Sequence, residues 1–475
     1  MSGNFSKDRR HLDWRDNSCF DCIGTYGEDL SGGYYEAGGT FMKATVLNTI
    51  AFNVLAWAGL EFPQGFNNTG NLDDLKYKVK WAGDYYMECH PEEEVAVAVL
   101  GNSTLDYDYI GPPELYEEYV EFRPAFYVTA EDPGAEIPAV LSAALSSAAL
   151  LLQEDDPDWA EEALEHSVSL YNFAKKYPVS VRKNSNEEVN NYTGGSLESE
   201  MAWSAVWLYK ATGNDTYLAE AQAYFDQMGG AIEFPPTFEA GKKDVAVAIL
   251  LADITKDTAY VNYANTQFFD AYLNQNVQHT NAGAAHPYHW GGNRAPANLA
   301  FLTQVYAPIV VKITGDTAYA ARLLNYGAHQ ANYLLGDAGR SWIVGFGGFG
   351  ESNDNPAYIW HKASYYSIKT WDDSLGEHIF MTPIFGPWAS NQKKPTVMKS
   401  KLLFESSRLP QAHIAYGTMF SSPLMDDSMV ASRKDYSYTE PTLEYQAGLV
   451  GALAGMSEMY GLEEWEGDMI GVVYE

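Results

Sequence analysis

The sequence predicts an all-α domain in which antiparallel helix pairs close into a ring whose long loops form a cleft. Three observations carry this reading. Apolar residues recur at helical spacing over most of the chain. A single turn sequence recurs between successive helices. Four long stretches without periodicity, at 1–40, 90–135, 276–293 and 337–440, are rich in Trp, Tyr, His and Gly. Loops of that length are usually functional.

The helical pattern is plainest at 136–153, where Ile137, Val140, Leu141, Ala144, Leu145 and Ala148 fall on one face. The same criterion gives helices at 41–60, 72–88, 158–176, 197–212, 217–229, 243–254, 259–275, 294–313, 317–335 and 442–461, eleven in all. Strand-like alternation is short and sparse, as in Val120-Glu-Phe-Arg123. The joints repeat as Thr212-Gly-Asn-Asp-Thr-Tyr217, Thr255-Lys-Asp-Thr-Ala-Tyr260 and Thr314-Gly-Asp-Thr-Ala-Tyr319. Gly or Lys closes one helix, and Asp215, Asp257 or Asp316 is expected to cap the next. Asp156-Pro157 starts another helix, with proline in the first turn. Such tight turns make helical hairpins. Their capping residues are spaced 42 and then 59 residues apart, too unevenly for a uniform solenoid, so a closed ring is expected.

At 475 residues, 46% hydrophobic and 20% charged, the chain reads as one globular domain over 1–475. A formal net charge of −33 repels phosphate backbones, so nucleic acid and anionic membranes are poor partners, whereas a neutral polymer is compatible. The apolar runs at 44–60, 137–153 and 295–311 are short, and polar residues or Pro296 interrupt them, so buried core helices are expected rather than membrane spans. Cys19 and Cys22 have CxxC spacing without a second pair, and a short-loop disulfide is the preferred reading; Cys89 is then left over. Sequons at Asn4, Asn67, Asn102, Asn191 and Asn214 agree with an extracellular or cell-surface protein. No signal peptide follows Lys7-Asp8-Arg9-Arg10.

Four loop segments carry a family resemblance. Asp29-Leu-Ser-Gly-Gly-Tyr-Tyr-Glu-Ala-Gly-Gly39 is similar to a Ser-Gly-Gly-Trp/Tyr-Tyr-Asp-Ala-Gly-Asp segment. Gly111-Pro-Pro-Glu114 with Arg123-Pro-Ala-Phe-Tyr127 is a second match. Trp290-Gly-Gly-Asn-Arg294, with Tyr333-Leu-Leu-Gly-Asp337 and Arg340 to Gly347, is a third. The last runs from Arg433-Lys-Asp-Tyr436 through Thr439-Glu-Pro-Thr-Leu-Glu-Tyr-Gln-Ala-Gly448. In order along nearly the whole chain, these resemble glycoside hydrolase family nine, the inverting cellulases. The resemblance implies an (α/α)6 barrel of twelve helices and a cleft for β-1,4-glucan or a related polysaccharide. Met1-Ser2-Gly3 is similar to the tail of that family's first helix. A helix is therefore expected before Met1 in the precursor.

Inverting hydrolysis needs an acid for the leaving oxygen and a carboxylate base to activate water. Glu440 matches the family's general acid. The family's Asp-Ala-Gly-Asp reads Glu36-Ala-Gly-Gly39, so the base Asp is replaced by Gly39 and the water-holding Asp by Glu36. Losing a positioned base forfeits about 10²–10⁴ in rate. Gly39→Asp is expected to restore or raise activity if the cleft is otherwise intact. The His-His-Arg that grips sugar reads Trp360-His361-Lys362, and lysine lacks the arginine fork. Tyr107 stands at another family His position. Trp290, Arg294 and Tyr445 match sugar-contacting positions, alongside His361 and Lys362. Glu200, in Gly195-Ser-Leu-Glu-Ser-Glu200, matches a calcium ligand, but a neighbouring carboxylate has become Ser199. Calcium is therefore weakly expected, and no cofactor is required. His279, His286 and His289 lack metal spacing and read as polar loop residues.

Three functions remain open. The first is a glucan-binding protein, a wall, matrix or surface component assembling with other matrix or surface proteins, with hydrolysis impaired or lost. The second is an active inverting endo-β-1,4-glucanase with Glu36 as base. The third is a structural subunit that binds no glycan.

Overall fold

A computed structural model of the chain describes residues 1–5, 12, 14–120, 123–228, 230, 232–352, 355–365, 404–405 and 411–460. The basic segment 7–10 and much of the fourth long loop lie outside the described residues.

The eleven helices expected from the periodicity are all present: α1 (Thr45–Glu61), α2 (Leu72–Glu88), α3 (Glu136–Leu152), α4 (Pro157–Lys176), α5 (Leu197–Thr212), α6 (Asp215–Gln227), α7 (Asp244–Thr255), α8 (Thr258–Ala264), α9 (Arg294–Thr314), α10 (Thr317–Leu335) and α11 (Leu443–Tyr460). Through one wide turn at Asn265–Phe269, α8 continues into Asp270–Leu273. The odd-numbered helices form the inner ring. Each packs on the next in the order α1, α3, α5, α7, α9, α11, and α11 returns to α1. The even-numbered helices lie outside their odd partners. This is the (α/α)6 barrel.

Sequence chemistry sorts the layers. Inner helices such as α1 and α7 are apolar on nearly every face and buried, as a helix enclosed on all sides must be. The outer α4 buries one stripe, including Trp159, Ala163, Leu170 and Tyr171, and leaves its acidic face wet. α9 is long and apolar enough to cross a membrane, yet 72% of its most apolar window is buried within the barrel. Trp57 of α1, Trp203 and Trp207 of α5 and Phe301 of α9 meet edge-to-face with centroids 5.2–6.0 Å apart. These helices are not ring neighbours, so the aromatics fill the barrel axis.

The recurrent turns behave largely as expected. Gly213, Lys256 and Gly315 adopt left-handed conformations at φ 68°, 58° and 73°, and Asp257 and Asp316 cap the helices that follow. The first joint differs: Asn214, not Asp215, accepts from the Thr216 amide. Asp215 becomes the first helical residue, where its charge suits the dipole.

Two readings of the second long loop need correction. Tyr116–Val120 is helical, and the nearby strand is Ala125–Thr129 instead. It pairs antiparallel with Val95–Leu100, which pairs in turn with Lys43–Ala44. Val95-Ala-Val-Ala-Val-Leu100 is buried on both faces, so it lacks the alternation by which half-buried strands are recognised. Cys19 and Cys22 form the short-loop disulfide with Cα atoms 5.3 Å apart, while Cys89 is a buried thiol.

Candidate active site

Three loop segments meet at the mouth of the barrel, beside the start of α11. Gly38 N donates to Pro441 O (2.8 Å), Leu443 N to Glu36 O (3.1 Å), Trp360 N to Thr439 O (2.9 Å) and Lys362 N to Gly38 O (2.9 Å). Segments 36–39, 360–362 and 439–443 are thus laced together by their backbones. The approach to Glu36 is pinned by Lys43. This fully buried ammonium donates to the carbonyls of Leu30 (2.5 Å), Ser31 (3.1 Å) and Gly32 (2.5 Å).

Above this lacing opens a cavity of about 430 Å³ lined by Glu36, Gly39, Tyr107, Tyr192, Trp290, Trp360, Glu405, Tyr436, Glu440 and Tyr445, among others. One wall is a run of aromatics. Trp290 meets Tyr436 at 5.4 Å, Tyr436 meets Trp360 at 5.8 Å, and Trp360 meets Phe404 at 5.1 Å. Tyr107 and Tyr192 share a hydroxyl hydrogen bond of 2.8 Å. Trp290 is 48% exposed, so its face is free to receive an apolar ligand surface. Gly291 makes that loop possible: its φ is +63°, and a β-carbon there would strike the Tyr445 ring.

Glu440 and Glu36 bring two buried carboxyls to this cavity. Gly39 N donates to Glu440 Oε1 at 2.9 Å. Burial nonetheless pushes the Glu440 carboxyl up to about 7, outweighing that amide and the Lys362 cation. Glu36 Oε2 accepts from Ala44 N (3.2 Å). Burial, then the neighbouring Glu440 charge, holds its carboxyl well above the usual range.

Gly39 itself has no room for a side chain. A β-carbon at this position would overlap the Trp360 indole nitrogen and Glu440 Oε1. The space in which an Asp carboxylate would hang is filled by a tryptophan that is 6% exposed.

The remaining expected residues are distributed unequally. Tyr445 lines the cleft. Arg294 lies behind it: the guanidinium is 5.0 Å from the Tyr445 ring, 3.1 Å from Glu444 Oε1 and 2.7 Å from the Tyr288 hydroxyl, and it also pairs with Glu239. Lys362 does not line the cleft; its buried Nζ donates to Asp106 O (2.7 Å), and Asp106 in turn accepts from Phe41 N. His361 also lies outside the cleft, in a chamber of about 190 Å³ that shares Glu36 as a wall and includes Trp14 and Arg15. Its Nδ1 accepts from Ser364 N (3.0 Å), and burial, aided by Arg15, lowers its pKa to about 4. Tyr192, Trp360, Tyr436 and Glu405 are cleft residues that the sequence reading did not select. Tyr436 sat within a recognised segment, but Tyr192 is the middle residue of the Asn191 sequon, a motif that points to glycosylation and not to a cleft.

Glu200 bears on calcium. Its Oε1 accepts from Lys243 Nζ (2.7 Å) and Gly195 N (2.9 Å), with both charged side chains buried. Oε2 alone has no partner. A β-carbon on Gly195 would lie 2.5 Å from Gly241 O, so the loops close tightly here. Calcium takes about 6–8 oxygens. A carboxylate already neutralised by an ammonium, beside Ser199, does not fit that ion.

A helical barrel whose mouth holds paired acidic side chains against an aromatic wall defines a carbohydrate-active class of protein. The model for glycosyl hydrolase family 9 matches residues 1–453, and the chain belongs to that family. Endoglucanase B of Cellulomonas fimi is 30% identical over 95% of this chain, and Endoglucanase A of Bacillus pumilus is 28% identical over 97%. The chain spans only 40% and 64% of those two proteins' lengths. Among solved structures, the endoglucanase of the termite Nasutitermes takasagoensis is similar with a TM-score of 0.81 and 28% identity, covering 96% of this chain and 95% of that one. The cellulase Cel9M of C. cellulolyticum, also solved with cellobiose, gives 0.77 at 25% identity in that complex, covering 97% and 95%.

Proposed function

We infer that this family 9 chain binds β-1,4-glucan in its aromatic cleft and hydrolyses it poorly or not at all. The observation that carries the reading is the filled space at Gly39. The position aligned with the base has no side chain, Trp360 occupies the volume, and burial holds the carboxyl of Glu36 on the same cavity well above the usual range. Glu440 keeps the environment of a proton donor, but an inverting reaction also needs its water deprotonated. The aromatic wall supports sugar binding, because pyranose rings offer apolar C–H faces to indole and phenol. A cellobiose complex of a relative agrees with that substrate class. Such a protein suits an extracellular wall, matrix or surface role.

Two measurements test this. Cello-oligosaccharides titrated calorimetrically should bind, while reducing-sugar release from carboxymethyl cellulose should stay at least about 10²-fold below that of a base-bearing relative. Full turnover lost in both Glu36→Gln and Glu440→Gln would instead make Glu36 the base. Absence of any binding would leave the chain a structural subunit.

A further inference from the structure

The cleft gathers carboxyls and excludes cations. Glu36, Glu405 and Glu440 line it together with Trp290, Tyr436 and Trp360, and no lysine, arginine or histidine does so among the described residues. The three basic residues expected at the sugar are all held elsewhere. Lys362 is tied to Asp106, Arg294 to Glu239, Glu444 and Tyr288, and His361 faces a separate chamber. Glu36 is 6% exposed; its Oε2 accepts from Ala44 N, and its Oε1 accepts from no described residue. A sugar bearing only hydroxyls brings no counter-charge to such a group. Resting on the reading of this cleft as a β-1,4-glycan site, we propose that its preferred ligand is an amino-sugar polymer, β-1,4-linked glucosamine, whose C2 ammonium groups meet Glu36, Glu405 and Glu440.

An ammonium offers three donors and no acceptor, the complement of a carboxylate, which only accepts. Charge-assisted hydrogen bonds of this kind are roughly twice as strong as neutral ones. Burial pushes the Glu36 and Glu440 carboxyls up, and the charges of Glu440, Asp106 and Glu444 add to that at Glu36. At Glu440 the Lys362 cation and the Gly39 amide oppose the rise without cancelling it. An opposite charge within about 4–6 Å favours the ionised form. An arriving ammonium therefore supplies the charge that the fold withholds. The aromatic wall suits the same ligand. Trp290 is half-exposed and can stack on a pyranose face whether C2 carries oxygen or nitrogen. Indole and phenol faces also attract cations, more strongly out of water. Over longer range, the net charge of −33 draws in a polycation and repels an anionic glycan.

The test is calorimetric titration of the full chain with three hexamers: β-1,4-linked glucosamine, its fully N-acetylated form, and cellohexaose. Low ionic strength and a mildly acidic buffer keep the amines charged and the attraction unscreened. The glucosamine hexamer should bind about tenfold tighter than cellohexaose or better, and added salt should shrink that advantage. The acetylated hexamer, which has lost its charge, should show no such advantage. Combining Glu36→Gln with Glu405→Gln should bring the affinities for the glucosamine hexamer and cellohexaose together, with a thermal melt establishing that the variant is folded. Equal wild-type affinity for these two hexamers overturns the preference and leaves the glucan reading standing. Binding of neither overturns both. An advantage shared by the acetylated hexamer, or kept in full by the folded double variant, also overturns the assignment, because the cleft carboxyls would then not be its source.

Discussion

The indole of Trp360 stands where a side chain on Gly39 would have to go. The two residues are more than 300 positions apart, yet each explains the other: a glycine leaves a gap at the base position, and a tryptophan closes it. Gly39→Asp alone is therefore not expected to revive hydrolysis, contrary to the expectation from sequence. The Glu440 carboxyl can turn aside, but the indole, wedged against Phe404 and Tyr436, cannot do so cheaply. Gly39→Asp should cost about 1–3 kcal/mol in a denaturant melt and leave reducing-sugar release flat. Combining it with Trp360→His clears the space, and release should then rise by about 10²-fold or more. A gain from Gly39→Asp alone would show that the indole is no barrier.

The buried carboxyl pair sets a pH dependence. Glu440 holds its proton to about pH 7 when folded, against an ordinary value of 4.5, and Glu36 is displaced in the same direction. A raised carboxyl pKa means that the folded state binds the proton more tightly than the unfolded chain. Its contribution to stability is complete below about 4.5 and disappears as pH rises through 7. His90 and His361, lowered from 6.5 to about 4, work oppositely: their contribution is present above 6.5 and lost toward 4. Melting temperatures of Glu440→Gln minus those of the wild type should therefore climb between pH 5 and 8. A flat difference would mean that Glu440 ionises freely in the fold.

The fold was largely legible because barrel helices announce themselves locally, through 3.6-residue periodicity and turn residues such as Gly213 and Gly315. Strand Val95–Leu100 was missed because burial on both faces erases alternation. The acid position, Glu36 and the glycine at 39 were visible in short motifs. Trp360 as the occupant of that gap was not, because the contact joins segments distant in sequence. Lys362 shows the converse: motif position implied a sugar contact, but its stem runs inward to Asp106, a partner that no local pattern reveals.

Glu200 and Lys243 make a buried ion pair at 2.7 Å where the resemblance suggested calcium. Removing one member strands the other charge away from water. Lys243→Met should cost about 3–5 kcal/mol, and Glu200→Gln a comparable amount. The double substitution should cost less than the sum, since no lone ion remains. Chelator should leave the wild-type melting temperature unchanged; a chelator-induced fall, reversed by calcium, would mean that an ion occupies this place.

Trp290 and Arg294 begin from one recognised loop, yet the structure separates what each can do. Trp290 is half-exposed at the cleft and can stack on a sugar face directly. Arg294 is tied to Glu239, Glu444 and Tyr288 behind the Tyr445 ring, so it acts on ligand only by holding that ring in place. Trp290→Ala should weaken cellohexaose binding by roughly tenfold, equivalent to about 1.4 kcal/mol, with little change in melting temperature. Arg294→Met should do the reverse at first order: it leaves the buried Glu444 and the half-buried Glu239 without their cation, so the melt falls by several degrees. Its effect on affinity should match that of Tyr445→Ala, because both act through one ring. An Arg294→Met protein of normal stability with abolished binding would make the guanidinium a direct sugar contact.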